Sequence, residues 1–299
     1  MRKLIAIILP LLLIQQACGM KSMATHVISD VATDGMVALE GEEDVEFARQ
    51  TAPALIKTLE VLRHGDLKDK RALTLLALSY GQFTFGFLEE DMLRFSEGST
   101  EQARAERRAD LFYRRGREYG IAALSRRRSM RTAFKSPFNT FKRRLRRTGK
   151  GDVPALFWTA FNWGLWTNLH RDDPSAIVDI PRIRAMIERV IELDPEYYYG
   201  SAHTFRGVLA ASRPKALGGD PELAREEFTK ALGLAPNYLM TKVLFAQYYA
   251  RQVNDVHLFE GLLNEVLKAD ASDLPEQRLA NELAQRRARI LLDLKRRLF

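Results

Sequence analysis

Residues 224–250 read AREEFTKALGLAPNYLMTKVLFAQYYA, and the order of side-chain sizes in this stretch decides the fold. Ala224, Phe228 and Ala231 fall three or four residues apart, so they share one face of a helix as small, large and small, and Pro236 ends the unit. Past that proline, Phe245, Ala246 and Tyr249 begin the same kind of face again on a second helix. A small residue opposite a large one lets two helices approach closely, so the stretch predicts helical hairpins stacked on one another.

The spacing corresponds to positions 20, 24, 27 and 32 of a tetratricopeptide repeat, followed by positions 7, 8 and 11 of the next. Upstream, RVIELDPEY repeats the ending, with Val190 and Pro195 standing where Ala231 and Pro236 stand. The interval between the two endings exceeds the ~34 residues of the repeat. The surplus falls at SRPKALGG, where an insertion lengthens a loop without breaking a stack. EVLKADASD is a third ending without the proline, and Leu76, Ala77 and Tyr80 again fit positions 7, 8 and 11. Further helical periodicity runs through Phe47, Leu55, Leu59 and Leu62, and through Ala105, Ala109, Phe112 and Tyr113. No run alternates apolar and polar residues. Asp173-Pro174, Asp194-Pro195 and Asp220-Pro221 each place a capping carboxylate before a proline suited to a first helical turn. The expected fold class is all-α: a helical-hairpin, tetratricopeptide-like solenoid of about four irregular repeats with capping helices.

The N-terminus speaks to compartment. Arg2 and Lys3 precede an apolar run from Leu4 to Ile14, too short for the ~20 residues of a spanning helix but suited to a signal peptide. The run ends at QQACGM, where Cys18 is the only cysteine of the 299 residues. The pattern resembles a bacterial lipobox, although Gln15 stands where leucine is usual. Cys18 is therefore the expected lipidation site, against ordinary signal cleavage or an uncleaved anchor. Gly19, rather than aspartate, follows the usual rule for outer-membrane sorting. The expected layout is a signal peptide over 1–17, a tether over 18–42 and one helical domain over 43–299 that stands without disulfides.

The formal net charge of +8 is concentrated. Residues 125–151 read SRRRSMRTAFKSPFNTFKRRLRRTGKG, with no acidic residue and with Phe134, Phe138 and Phe141 interleaved. Arg126, Arg127, Arg128, Arg143, Arg144, Arg146 and Arg147 are candidates for contact with a membrane or partner; the alternative is a solvated face. Export argues against nucleic acid as partner.

No catalytic constellation stands out. His26, His64, His170, His203 and His257 are scattered without metal-ligand spacing, and no HExxH, GxSxG, GxGxxG or P-loop occurs. The chain reads as non-enzymatic, with no cofactor and no metal implied.

ALFWTAFNWGLWTNL, residues 155–169, holds all three tryptophans. At ~100° per residue, Trp158, Asn162 and Trp166 share one side, Trp163 lies further round, and Phe157 and Phe161 lie opposite. Such a helix, expected to start after Asp152 and run to about His170, must be covered on most sides. It is either the inner helix of a repeat or the wall of a ligand site, and a buried Asn162 needs a partner in either case.

The lipobox, DVPALFWTAFNWGLW, the long stretch from Ser212 to Ala250 and RLANELAQRRARILL together resemble the T-component family of tripartite ATP-independent periplasmic (TRAP) transporters (TatT). The basic insert at 125–151 departs from that likeness. The resemblance implies a lipid-anchored periplasmic protein, able to form a homotrimer, that partners the substrate-binding P subunit and helps a small organic ligand reach it. On that reading Trp158, Asn162, Trp163 and Trp166 contact ligand, with Tyr198, His203 and Arg206 as neighbours. The rival is a scaffold lipoprotein organising cell-envelope or outer-membrane protein assembly.

Overall fold

The punctuation read from the sequence sets two helix starts, at Pro174 and Pro221, in the computed structural model, which describes residues 35–64, 69–213 and 218–299. Cys18, the signal peptide and most of the tether lie outside the described residues. Among those residues every regular element is helical. After a short helical segment at 35–40 come α1 (Val45–His64), α2 (Lys70–Phe83), α3 (Thr100–Ser125), α4 (Phe138–Leu145), α5 (Val153–Leu169), α6 (Ile180–Leu193), α7 (Tyr197–Ala211), α8 (Pro221–Leu234), α9 (Met240–Leu244), α10 (Val256–Lys268) and α11 (Arg278–Asp293). Two of them run on through π-helical turns, α2 through Thr84–Leu88 into Glu89–Arg94 and α9 through Phe245–Ala250. Among the described residues no helix is long and apolar enough to cross a membrane.

Asp220 accepts from Leu223 N at 3.0 Å and Asp173 from Ser175 N at 2.8 Å, as capping carboxylates do. Asp194 behaves differently. It ends α6, because the chain turns left-handed three residues after Pro195 and presents no row of N–H groups to it. Asp152 begins α5 without bonding the helix. Its carboxylate accepts from Gly149 N at 2.9 Å and pairs with Lys70 at 2.6 Å, tying α5 to α2.

Most of the positions marked by the helical spacing are core positions, although Tyr249 is half-buried and Pro236 exposed. Ala224, Phe228, Ala231, Ala246, Val190, Leu76 and Ala77 are all fully buried. Phe228 stacks on Phe245 with ring centroids 4.8 Å apart, joining α7–α8 to the next hairpin. On α1 the buried face runs through Val45, Ala48, Ala52, Ile56 and Leu59, whereas Phe47 points to solvent. A one-residue offset in the helical phase separates the two.

Packing largely follows chain order, with α3 on α5, α5 on α6 and α7 on α8. The last helix then returns to the first: α11 packs on α1 and on Glu89–Arg94. Arg287 meets Glu89 at 3.1 Å, Arg286 meets Glu90 at 2.8 Å and Arg278 meets Glu43 at 2.6 Å. Glu89 also accepts from Tyr113 Oη at 2.7 Å, which satisfies a buried carboxylate on both sides. The helical array therefore closes around its interior.

The basic segment folds onto this array. Phe141 and Leu145 of α4 are buried, and Arg189 of α6 donates to the Arg146 carbonyl at 3.1 Å and the Thr148 carbonyl at 2.6 Å. Arg144 is half-buried and bonds Thr132 Oγ1 at 2.5 Å, and Arg127 pairs with Asp152 at 3.1 Å. Arg126, Arg127, Arg128, Arg143, Arg146 and Arg147 remain exposed.

Candidate functional site

The aromatic helix α5 is buried nearly all round, and its phase is held by glycines opposite it. A Cβ at Gly116 of α3 would lie 2.1 Å from Asn162 Oδ1, and one at Gly120 would lie 2.2 Å from Thr159 Oγ1. The two helices can therefore cross this closely only without side chains at 116 and 120. Asn162 lies entirely within protein. Its amide donates to the Ala77 carbonyl of α2 at 2.8 Å and to the Trp158 carbonyl at 2.7 Å. Its Oδ1 is buried without a hydrogen-bond partner.

With α5 locked in this way, Phe157, Trp158, Phe161 and Leu165 face a chamber enclosed by α1, α2, α5, α7, α9 and α11. Its volume is about 130 Å³ measured as space for water-sized centres. At ~10–15 Å³ per water on that measure, it would hold on the order of ten waters or a ligand of similar atom count. The wall is mostly apolar, with Ile56, Phe83, Phe87, Phe205, Val208, Leu244 and Leu283 completing it. Cavities of this kind are where small molecules bind.

One end of the chamber is polar and is built by an unusual backbone. Tyr198, Tyr199 and Gly200 all adopt left-handed conformations, with φ of 47°, 60° and 68°. For the two tyrosines this costs about 1–2 kcal/mol each. The turn fans out three consecutive rings. Tyr197 Oη accepts from Trp158 Nε1 at 3.1 Å, Tyr198 reaches the chamber, and Tyr199 stacks on Tyr238 at 5.2 Å. Gly200 is needed there because of its φ and because a Cβ would meet Leu234 Cδ1 at 3.2 Å.

Tyr198 Oη donates toward Glu40 Oε1 at 2.9 Å and lies 3.1 Å from Gln277 Oε1, while Gln82 Nε2 donates to Glu40 Oε1 at 2.7 Å. Burial raises the Glu40 carboxyl above its ordinary value, and the bonds from Gln82, Tyr198 and Gln277 offset this only in part. Burial likewise pushes the Tyr198 hydroxyl well above its usual range, with the Glu40 charge adding to it. An outer pocket lined by Glu40, Glu196, Tyr198, Tyr199 and Gln277 adjoins this end. At the far side, Tyr248 lines both the chamber and a polar pocket containing Glu89, Asp110 and His170.

Of the residues singled out in the sequence, Trp158 and Tyr198 meet at the chamber, their rings 5.1 Å apart. The others lie elsewhere. Trp163 is buried away from the chamber, its ring 6.3 Å from Phe134, with its Nε1 unpartnered. Trp166 donates to Asp110 at 2.9 Å, stacks on His170 and carries the Arg117 guanidinium over its ring at 4.8 Å. His203 Nδ1 lies 2.7 Å from the buried Glu227 carboxylate, which Arg206 approaches at 3.4 Å, so this pair joins α7 to α8.

Glu40, Gln82 and Gln277 are site residues that the sequence did not mark. Glu40 lies in the segment read as tether, yet residues 35–40 form a helical turn whose Met36 is buried. The triple tyrosine before Gly200 was the one available signal.

The family model of the TRAP transporter T-component matches residues 41–299. An uncharacterized protein of Treponema pallidum (strain Nichols) is 24% identical over 258 residues, which is 84% of this chain and 79% of that protein.

Proposed function

The chain therefore belongs to the TRAP transporter T-component family, and from that premise we propose that it is a lipid-anchored, non-enzymatic accessory subunit that shelters a small apolar ligand in its chamber. On this reading it holds that ligand for the substrate-binding P subunit, the tetratricopeptide-like hairpins supply the docking surface, and a homotrimer is the assembled form. Cys18 carries the acyl chains that hold the protein to the outer membrane, facing the periplasm. The exposed arginines of the basic segment lie against anionic head groups beside that anchor. The observation that carries the reading is the chamber. Six helices from both ends of the chain enclose an apolar space, with Trp158 in the wall and a strained tyrosine turn at the mouth.

Intrinsic tryptophan fluorescence tests it directly, since Trp158 faces the space. Short-chain amphiphiles should shift the emission of the native protein, and Leu165→Trp, which fills the chamber, should abolish binding. Co-purification from membranes should recover a TRAP substrate-binding subunit. Failure of both the fluorescence change and the co-purification would refute the proposal.

A further inference from the structure

Among the described residues, most buried carboxylates have a cation beside them. Glu89 has Arg287 at 3.1 Å, Glu90 has Arg286 at 2.8 Å, Asp152 has Lys70 at 2.6 Å, and Glu227 has Arg206 at 3.4 Å. Glu40 is different. Among the described residues its hydrogen-bond partners are all neutral: Gln82, Tyr198 and Gln277. Among the described residues no lysine, arginine or histidine lines the chamber or the outer pocket, and the outer pocket adds a second carboxylate, Glu196.

A carboxylate withdrawn from water without a cation is costly, and the cost is relieved when an opposite charge arrives with hydrogen bonds to give. Around Glu40 stand further acceptors suited to an N–H donor, the Gln277 Oε1 and the Tyr198 oxygen, 3.1 Å apart. An entering carboxylate or phosphate would instead meet two negative groups and no counter-charge. Charge complementarity thus selects the ligand's polar end, and the apolar wall selects its body.

We propose that the chamber takes a cationic amphiphile, an apolar chain or ring bearing a protonated amine, with the ammonium at Glu40 and the body against Trp158, Phe161 and Phe205. The proposal rests on the reading of the chamber as a ligand site and adds the chemical class of the ligand. An octyl chain matches the space.

The test titrates the purified protein with octylamine, octanol and octanoate, read by tryptophan emission and by calorimetry, with Leu165→Trp as the blank for binding outside the chamber. Octylamine should bind about tenfold or more tightly than octanol, as charge-assisted hydrogen bonds exceed neutral ones, and octanoate should bind weakest. Glu40→Gln keeps the shape and removes the charge. It should bring octylamine to within about threefold of octanol, and a cooperative far-UV circular dichroism melt reports that the variant folds. Octanoate binding as well as octylamine, or an amine preference that survives Glu40→Gln, would overturn the proposal. If none of the three binds above the blank, the ligand reading of the chamber fails first and the amine selectivity with it.

Discussion

The crossing of α3 over α5 makes a quantitative demand that Gly116→Ala tests. The added Cβ would sit 2.1 Å from Asn162 Oδ1 and 2.4 Å from Asn162 Cγ, where ordinary contact begins near 3.4 Å. The helices must separate by roughly 1 Å, or Asn162 must rotate away from the Ala77 and Trp158 carbonyls. Overpacking of this kind costs ~1–3 kcal/mol, and giving up the buried amide bonds costs a further ~1–2 kcal/mol. Against these stands the gain of about 1 kcal/mol for alanine over glycine within a helix. The net expectation is a loss of about 1–4 kcal/mol, which for a chain of this size lowers Tm by roughly 2–4 °C for each kcal/mol. Gly233→Ala supplies the contrast, because nothing lies within 4 Å of its Cβ and only the helix-propensity gain remains, so its Tm should rise. Thermal unfolding followed by far-UV circular dichroism reads both. The double variant Gly116→Ala with Asn162→Ala should be less destabilised than the sum of the two singles, because removing the amide removes the clash. A Gly116→Ala protein melting at or above the native Tm, or strict additivity in the double variant, would refute the claim that this contact sets the phase of the aromatic helix.

Three other outcomes follow from the structure. Gly200→Ala places a Cβ on a residue with φ of 68° and 3.2 Å from Leu234 Cδ1, so it should cost about 1–2 kcal/mol by chemical denaturation and weaken amphiphile binding; an unchanged midpoint would contradict the strained turn. Burial alone would raise the Glu60 carboxyl, but hydrogen bonds from Tyr80 at 2.7 Å, Lys57 at 2.9 Å and Tyr119 at 2.8 Å hold it at about 2. Because its folded value is depressed, its contribution of about 2 kcal/mol is present above pH ~4.5 and lost as pH falls toward 2, and Glu60→Gln should flatten that acid limb of stability. Replacing Arg126, Arg128, Lys142 and Arg143, all exposed, by glutamate should release the protein from phosphatidylglycerol vesicles in a sedimentation assay at low salt, at ~1 kcal/mol per charge; equal binding of native and variant would remove the membrane role.

How much of this was legible beforehand differs between elements for physical reasons. Helix existence was readable because it depends on residues three and four apart and on local caps, and Ala224, Phe228 and Ala231 are buried as their spacing required. The aromatic helix was readable as buried, since it is apolar nearly all round. Which of its aromatic side chains reach the chamber was not, because that depends on Gly116 and Gly120 of α3 facing it. Asp194 looked like a cap because the dipeptide Asp-Pro is a local signal, and the left-handed turn that defeats it lies beyond that dipeptide.

By itself, the sequence determined an all-helical chain, its hairpin punctuation, the place of the basic segment and the burial of the tryptophan helix, all properties of short-range periodicity and composition. Tertiary structure alone decided that the array closes, with α11 returning to α1, and that an apolar chamber lies inside. It also decided the polar end, where Glu40, Tyr198 and Gln277 converge from positions separated by 158 and 79 residues. No local rule links such residues. They meet because buried helices pack where their small and large side chains interlock, and the space left over belongs to the packing.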